Sequence, residues 1–191
     1  NLSFNVDNKG NANGVDTLFI PFLDLNNNDN SINGYPATSL PRVSTTLAKQ
    51  LALYVTIYSP LQMASDFIEN YENHPEAFEF IKSVPVSWDT TIVLNGEIEQ
   101  FLTIARKDRN SDNWYIGGIT NRESRKLQFD LSFLDEGSYI ARIYADGDLA
   151  DWQSNPLDYK IFEKVVSKSE LMTMKLASGG GQAIELEKIK D

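Results

Sequence analysis

The sequence predicts a mostly β fold with an α-helical N-terminal part, its strands closed into an antiparallel β-sandwich. Three observations carry this. From about residue 85 onward, short runs rich in Val, Ile, Thr and aromatics alternate with Gly, Asn, Asp and Ser clusters at regular spacing. Between residues 42 and 58 the apolar residues fall instead on a helical period. The composition, 41% hydrophobic and 23% charged over 191 residues, is that of a chain able to bury a core of its own.

The first 41 residues hold ten of the chain's 17 Asn, including Asn26-Asn27-Asn28. Asn, Asp and Gly bond their own backbone and favour turns, so this stretch reads as loop. One apolar run, Thr17 to Leu23, is a short strand or a helix start. In Arg42 to Tyr58, Leu47, Leu51, Tyr54, Val55 and Tyr58 form one face, widened by Ala48, Ala52, Leu53 and Ile57. Ser44 or Thr45 is the expected N-cap, and Pro60 stops the helix. Leu61 to Ser65 is apolar and short enough for a buried strand. Asn73 with Glu76 has capping-box spacing and opens a helix at Pro75 to Lys82, with Ala77, Phe78 and Ile81 inward.

Strands are expected at Trp88 to Leu94, Gln100 to Lys107, Trp114 to Thr120, around Leu127 to Leu131, and at Tyr139 to Ala145. Three more follow at Tyr159 to Val166, Leu171 to Leu176 and Ala183 to Ile189. The turn cluster Asp108 to Asp112 makes Gln100–Lys107 and Trp114–Thr120 a hairpin. Gly117-Gly118 lies inside a strand, which points to close backbone packing or a bulge.

Net charge is −10, which disfavours nucleic acid and anionic membrane as partners, because the field repels phosphate. No run of 18 apolar residues is present. With no Cys, there is no disulfide, thiolate metal site or Cys nucleophile. The one His, His74, precedes a Pro at a helix start and has no nucleophile or second ligand at motif spacing. Asp24 to Asp29 fails as a calcium loop, since Asp29 stands where Gly is needed and Tyr35 where Glu is needed. Asp146, Asp148 and Asp151 cluster with Trp152, a set able to hold a sugar by hydrogen bonding and stacking, or simply an acidic turn beside a packed ring. Trp88 and Trp114 are the other indoles, and the alternation of Trp114 with Ile116 favours the core. Asp66, Glu69 and Glu72 are carboxylates of the kind glycoside hydrolysis uses in pairs, but spacing alone does not pair them.

Ordered blocks across about residues 42–165 resemble the C-terminal end of bacterial glycoside hydrolase family 97. They are Thr45 to Asp66 (TTLAKQLALYVTIYSPLQMASD), Glu69 to Glu72 (ENYE), Ala77 to Asp89 (AFEFIKSVPVSWD) and Thr103 to Lys107 (TIARK). Asn113 to Thr120 (NWYIGGIT), Asp130 to Asp135 (DLSFLD) and Ile143 to Gly147 (IYADG), running on to Asp151-Trp152, complete them. Members are α-glucosidases and α-galactosidases with an N-terminal β-super-sandwich, a central (β/α)8 barrel and a C-terminal β-sandwich. The resemblance implies that residues 42–84 are the end of the catalytic barrel and residues 85–191 the C-terminal sandwich, with 1–41 an Asn-rich region poorly covered. Leu61 to Ser65 is then the last barrel strand, and Asp66, Glu69 and Asn70 lie on the substrate rim at the barrel's C-terminal face.

The family's catalytic and Ca²⁺-binding glutamates match no residue here, so no catalytic or metal-binding residue is carried over. What the resemblance implies is a segment that is inactive alone, in a parent enzyme that uses Ca²⁺ and cleaves terminal α-linked glucose or galactose from oligo- or polysaccharides. It further implies a homo-oligomer and a periplasmic or secreted location. The alternative is a non-catalytic carbohydrate-binding or protein-interaction sandwich, with Trp152 and Asp151 stacking and bonding a sugar. An enzyme built from Asp66, Glu69 or Glu72 alone lacks the barrel strands that would position an acid against a base.

Overall fold

The computed structural model describes residues 31–32, 35–36, 43–63 and 68–189. Two compact units divide the chain: one comprises Asn1–Val43 and Ala64–His74, the other Ser44–Met63 and Pro75–Asp191. The expected elements at Thr17–Leu23 and Asp24–Asp29, and Asp66 itself, lie outside the described residues.

In the first unit, β1 (Ser31–Ile32) pairs antiparallel with β2 (Tyr35–Pro36), Ile32 opposite Tyr35. The loop expected here therefore contains a small paired ribbon. Asn33-Gly34 between the two strands is a hairpin signal in the sequence. The unit's helix is α2 (Ile68–Asn73).

The second unit holds α1 (Leu47–Thr56), α3 (Pro75–Ser83) and eight strands. These are β3 (Trp88–Glu97), β4 (Phe101–Asp108), β5 (Trp114–Thr120), β6 (Arg125–Asp130), β7 (Ser138–Asp146), β8 (Tyr159–Ser167), β9 (Leu171–Leu176) and β10 (Gly181–Lys188). One sheet has the order β3-β4-β5-β10-β7-β8, all antiparallel neighbours, and β6-β9 form a second, two-stranded sheet. The core between them is built from alternate residues: Ile116, Ile143 and Ile184 from the large sheet, and Leu127, Phe129, Met172 and Met174 from the small one. Trp114 is buried in it, with Phe133 at a centroid distance of 4.7 Å.

The opposite face of the large sheet is covered by α1 and α3. Leu47, Leu51 and Val55 are buried as α1 crosses β5 and β10. The apolar stripe thus folds back on the sandwich. Phe80 of α3 seats between Tyr115 and Tyr144, at centroid distances of 6.3 and 4.9 Å. Ala77 and Phe80 are the buried pair on α3, while Phe78 and Ile81 are only half-buried. The two tyrosines fix which side of the helix faces in.

Gly117 and Gly118 face opposite sides of β5. A Cβ on Gly117 would lie 2.7 Å from the Ala52 carbonyl oxygen of α1. One on Gly118 would collide with Met174 Sδ of β9. Two adjacent glycines therefore let the helix and the small sheet both close on one strand.

Two further expectations are corrected. Helix α1 is capped by Thr46, whose Oγ1 accepts from Lys49 N, rather than by Ser44 or Thr45. Leu61–Met63, the described part of the expected buried strand, is irregular, with Leu61 and Met63 exposed. Among the described residues no strand lies beside it to complete a ladder.

Candidate functional site

The acidic turn after β7 is the densest group of carboxylates that the sequence placed together, and each goes a separate way. Asp146 points inward and is buried. Its Oδ1 accepts from Thr46 Oγ1 at 2.6 Å, and its Oδ2 from the Ala177 and Gly181 amides at 2.8 and 2.9 Å. Burial raises its pKa, opposed by these three bonds and by the charge of Lys49. Asp146 thus ties the cap of α1 to the loop that starts β10. Lys49 in turn donates to the Thr120 carbonyl at 2.7 Å.

Asp148 points out, 3.0 Å from Lys160 Nζ, and that ion pair lowers its pKa. Asp151 Oδ1 accepts from the amides of Gln153 and Ser154, each at 2.9 Å, and so organises its own turn. Trp152 is half-buried, with Arg122 4.9 Å from its ring centroid and Gly179 packed against its Cβ. Gly179 sits at φ +64°, where a side chain would be strained and would also strike the indole. Trp88 is buried against Tyr115, at 5.7 Å between centroids.

On α2, Glu69 is exposed and Asn70 half-buried, and His74 follows with its amide on the Tyr71 carbonyl at 3.1 Å. Among the described residues no three His, Asp or Glu side chains gather to hold a metal. The Ca²⁺ implied by the resemblance finds no fitting donor set among the described residues.

A second feature was not visible in the sequence. The helix-side face of the β3–β4 hairpin carries a groove of about 510 Å³, lined by Val93, Ile98, Leu102 and Ile119, with Lys49 and Asn121 on its rim. Helix α1 leaves the outer hairpin uncovered. Ile98, at the tip, is 91% exposed, and Val93 is exposed beside it. The tip is held by Gln100 N donating to the Glu97 carbonyl at 3.0 Å, with Glu99 at φ +64°. Along β3 the register shifts twice, between Trp88 and Thr90 and between Val93 and Asn95, which bends this edge strand away from simple ladder extension.

The family model described as "Glycosyl-hydrolase 97 C-terminal, oligomerisation" matches residues 87–187, the span of the sandwich. The chain belongs to glycoside hydrolase family 97. Over 155 residues it is 39% identical to a retaining alpha-galactosidase of Bacteroides thetaiotaomicron, a match covering 81% of this chain and 23% of that protein. A probable retaining alpha-galactosidase of Streptomyces bingchenggensis is 28% identical over 100 residues, covering 52% of this chain and 15% of that protein. Among solved structures, a family 97 enzyme from Pseudoalteromonas sp. strain K8, in complex with acarbose, superposes at TM-score 0.77 with 43% identity. It covers 80% of this chain and 24% of the enzyme. A beta-arabinopyranosidase at 23% identity and TM-score 0.61 shares the fold. The chain spans less than a quarter of the length of the relatives it matches. The matched sandwich is the non-catalytic C-terminal domain of the family.

Proposed function

We propose that this chain is the C-terminal part of an α-glycosidase that removes terminal α-linked galactose or glucose from oligo- or polysaccharides. Residues 42–84 supply the end of its barrel, and the sandwich is the surface through which copies associate. The family match across the whole sandwich carries this reading. It is supported by the fate of the carboxylates: Asp146, Asp148 and Asp151 each serve a structural bond and none is paired as an acid against a base. Galactose has the support of the two curated relatives' names.

Association is supported by the domain's described role in oligomerisation and by the uncovered face of the β3–β4 hairpin. A second copy of this chain is the occupant we assign to that face. The test is hydrolysis of nitrophenyl α-galactoside and α-glucoside by the isolated chain, alongside sedimentation. The expected result is no turnover together with a concentration-dependent dimer or larger species. Turnover at enzyme-like rates, or a monomer at every concentration, would overturn it.

A further inference from the structure

The two layers of the sandwich are unequal. The large sheet has six strands and the small one two, and the core-side face of the outer strand β8 is covered at Val166 but open toward the strand's start. Register places Lys160 opposite Ala145 and Phe162 opposite Ile143, both on the face that elsewhere builds the core. Phe162 is nevertheless 43% exposed. Next to it, at the ends of β7, β9 and β10, lies a groove of about 610 Å³ whose walls include Asp148, Lys160, Phe162, Thr173, Lys175 and Gln182. This volume suits one or two sugar rings or a similar small molecule.

Gln182 is the decisive residue. It pairs with Ala145 and Gly118 in the sheet, is only 4% exposed, and lines the groove. Among the described residues its side-chain amide has no protein hydrogen-bond partner. Its amide is not among the sealed, unpartnered polar atoms of the fold, so its donor and acceptor are open to the groove it lines. Phe162 supplies an open apolar ring close by. The charged groups balance, two lysines (160 and 175) against Asp146 and Asp148. Asp148 stands 3.0 Å from Lys160, where it would repel an anion, and the lysines would repel a metal ion.

We infer that this groove binds a neutral saccharide. Sugar hydroxyls both donate and accept, which matches a wall of amide, ammonium, carboxylate and hydroxyl groups. The apolar C–H face of a pyranose matches an exposed phenyl ring. The site is separate from the hairpin face assigned to association, so the failure of one reading leaves the other standing.

The test is an ¹H–¹⁵N NMR titration of this chain with maltose and with melibiose, and in parallel with glucuronate and with inorganic phosphate. Expected are saturable shifts at residues 160–162, 173–175 and 182 with at least one neutral disaccharide. Phe162→Ala, on an exposed edge position, should keep the wild-type circular dichroism and weaken that binding at least about tenfold. Gln182→Leu, similar in shape, should weaken it as well. The inference fails if neither disaccharide gives saturable shifts in this groove. It also fails if only the two anions do, or if Phe162→Ala binds as tightly as wild type.

Discussion

Replacing Asp146 by Ala tests whether the helix is fastened to the sandwich through one buried carboxylate. The side chain accepts three hydrogen bonds, from the Thr46 hydroxyl and from the Ala177 and Gly181 amides. Each donor left unmet in a buried place costs about 1–3 kcal/mol. The carboxylate's own burial penalty, visible in its raised pKa, disappears with it and offsets part of that loss. The expected net cost is about 2–4 kcal/mol, read from guanidinium unfolding at neutral pH. Faster amide exchange should accompany it in α1, because Thr46 Oγ1 also caps Lys49 N.

Asp146→Asn keeps an acceptor for the two backbone amides and should lose much less. The sign of the pH dependence follows from the raised pKa. The folded state takes up this proton at higher pH than the unfolded chain, so Asp146 opposes folding more at neutrality than in acid. Wild type should therefore gain on the Asn variant as pH falls from neutral toward the ordinary carboxylate value of ~4. An Ala variant within ~0.5 kcal/mol of wild type, or a wild-type advantage that grows as pH rises, would refute the reasoning.

Three other outcomes are expected. Gly117→Ala places a methyl against the Ala52 carbonyl and the Val55 side chain, so overpacking should cost about 1–3 kcal/mol and lower Tm by about 3–10 °C in a thermal melt. Tyr115→Phe removes the hydroxyl shared between Glu185 Oε1 at 2.9 Å and the Ser83 carbonyl at 3.1 Å, which should cost about 1–2 kcal/mol in denaturant unfolding. Ile98→Asp changes a fully exposed tip, so stability should hold within about 0.5 kcal/mol. Sedimentation should then show the assembly shifted toward monomer, and an unchanged assembly would remove the hairpin face from the interface.

What the sequence disclosed, and what it withheld, follows from the range of the forces involved. Strands β3 to β10 and the stripe of α1 are written in local periodicity, so they were legible residue by residue. Sheet order is not local: β10 runs between β5 and β7, and nothing near Ala183 in the chain announces those neighbours. The glycine pair shows the boundary well. Close packing was legible from Gly117-Gly118 inside a strand, but not that one glycine admits a helix and the other a methionine. Asp146 was legible as one member of an acidic turn and not as a buried anchor, because its three donors come from residues 46, 177 and 181. Gln182 passed unnoticed for the same reason. An amide on a strand looks solvated, and only the assembled sheets show it to be 4% exposed at the wall of a groove. The six-on-two mismatch of the sheets, which no local pattern encodes, leaves Phe162 open and gives the Gln182 amide a groove to face.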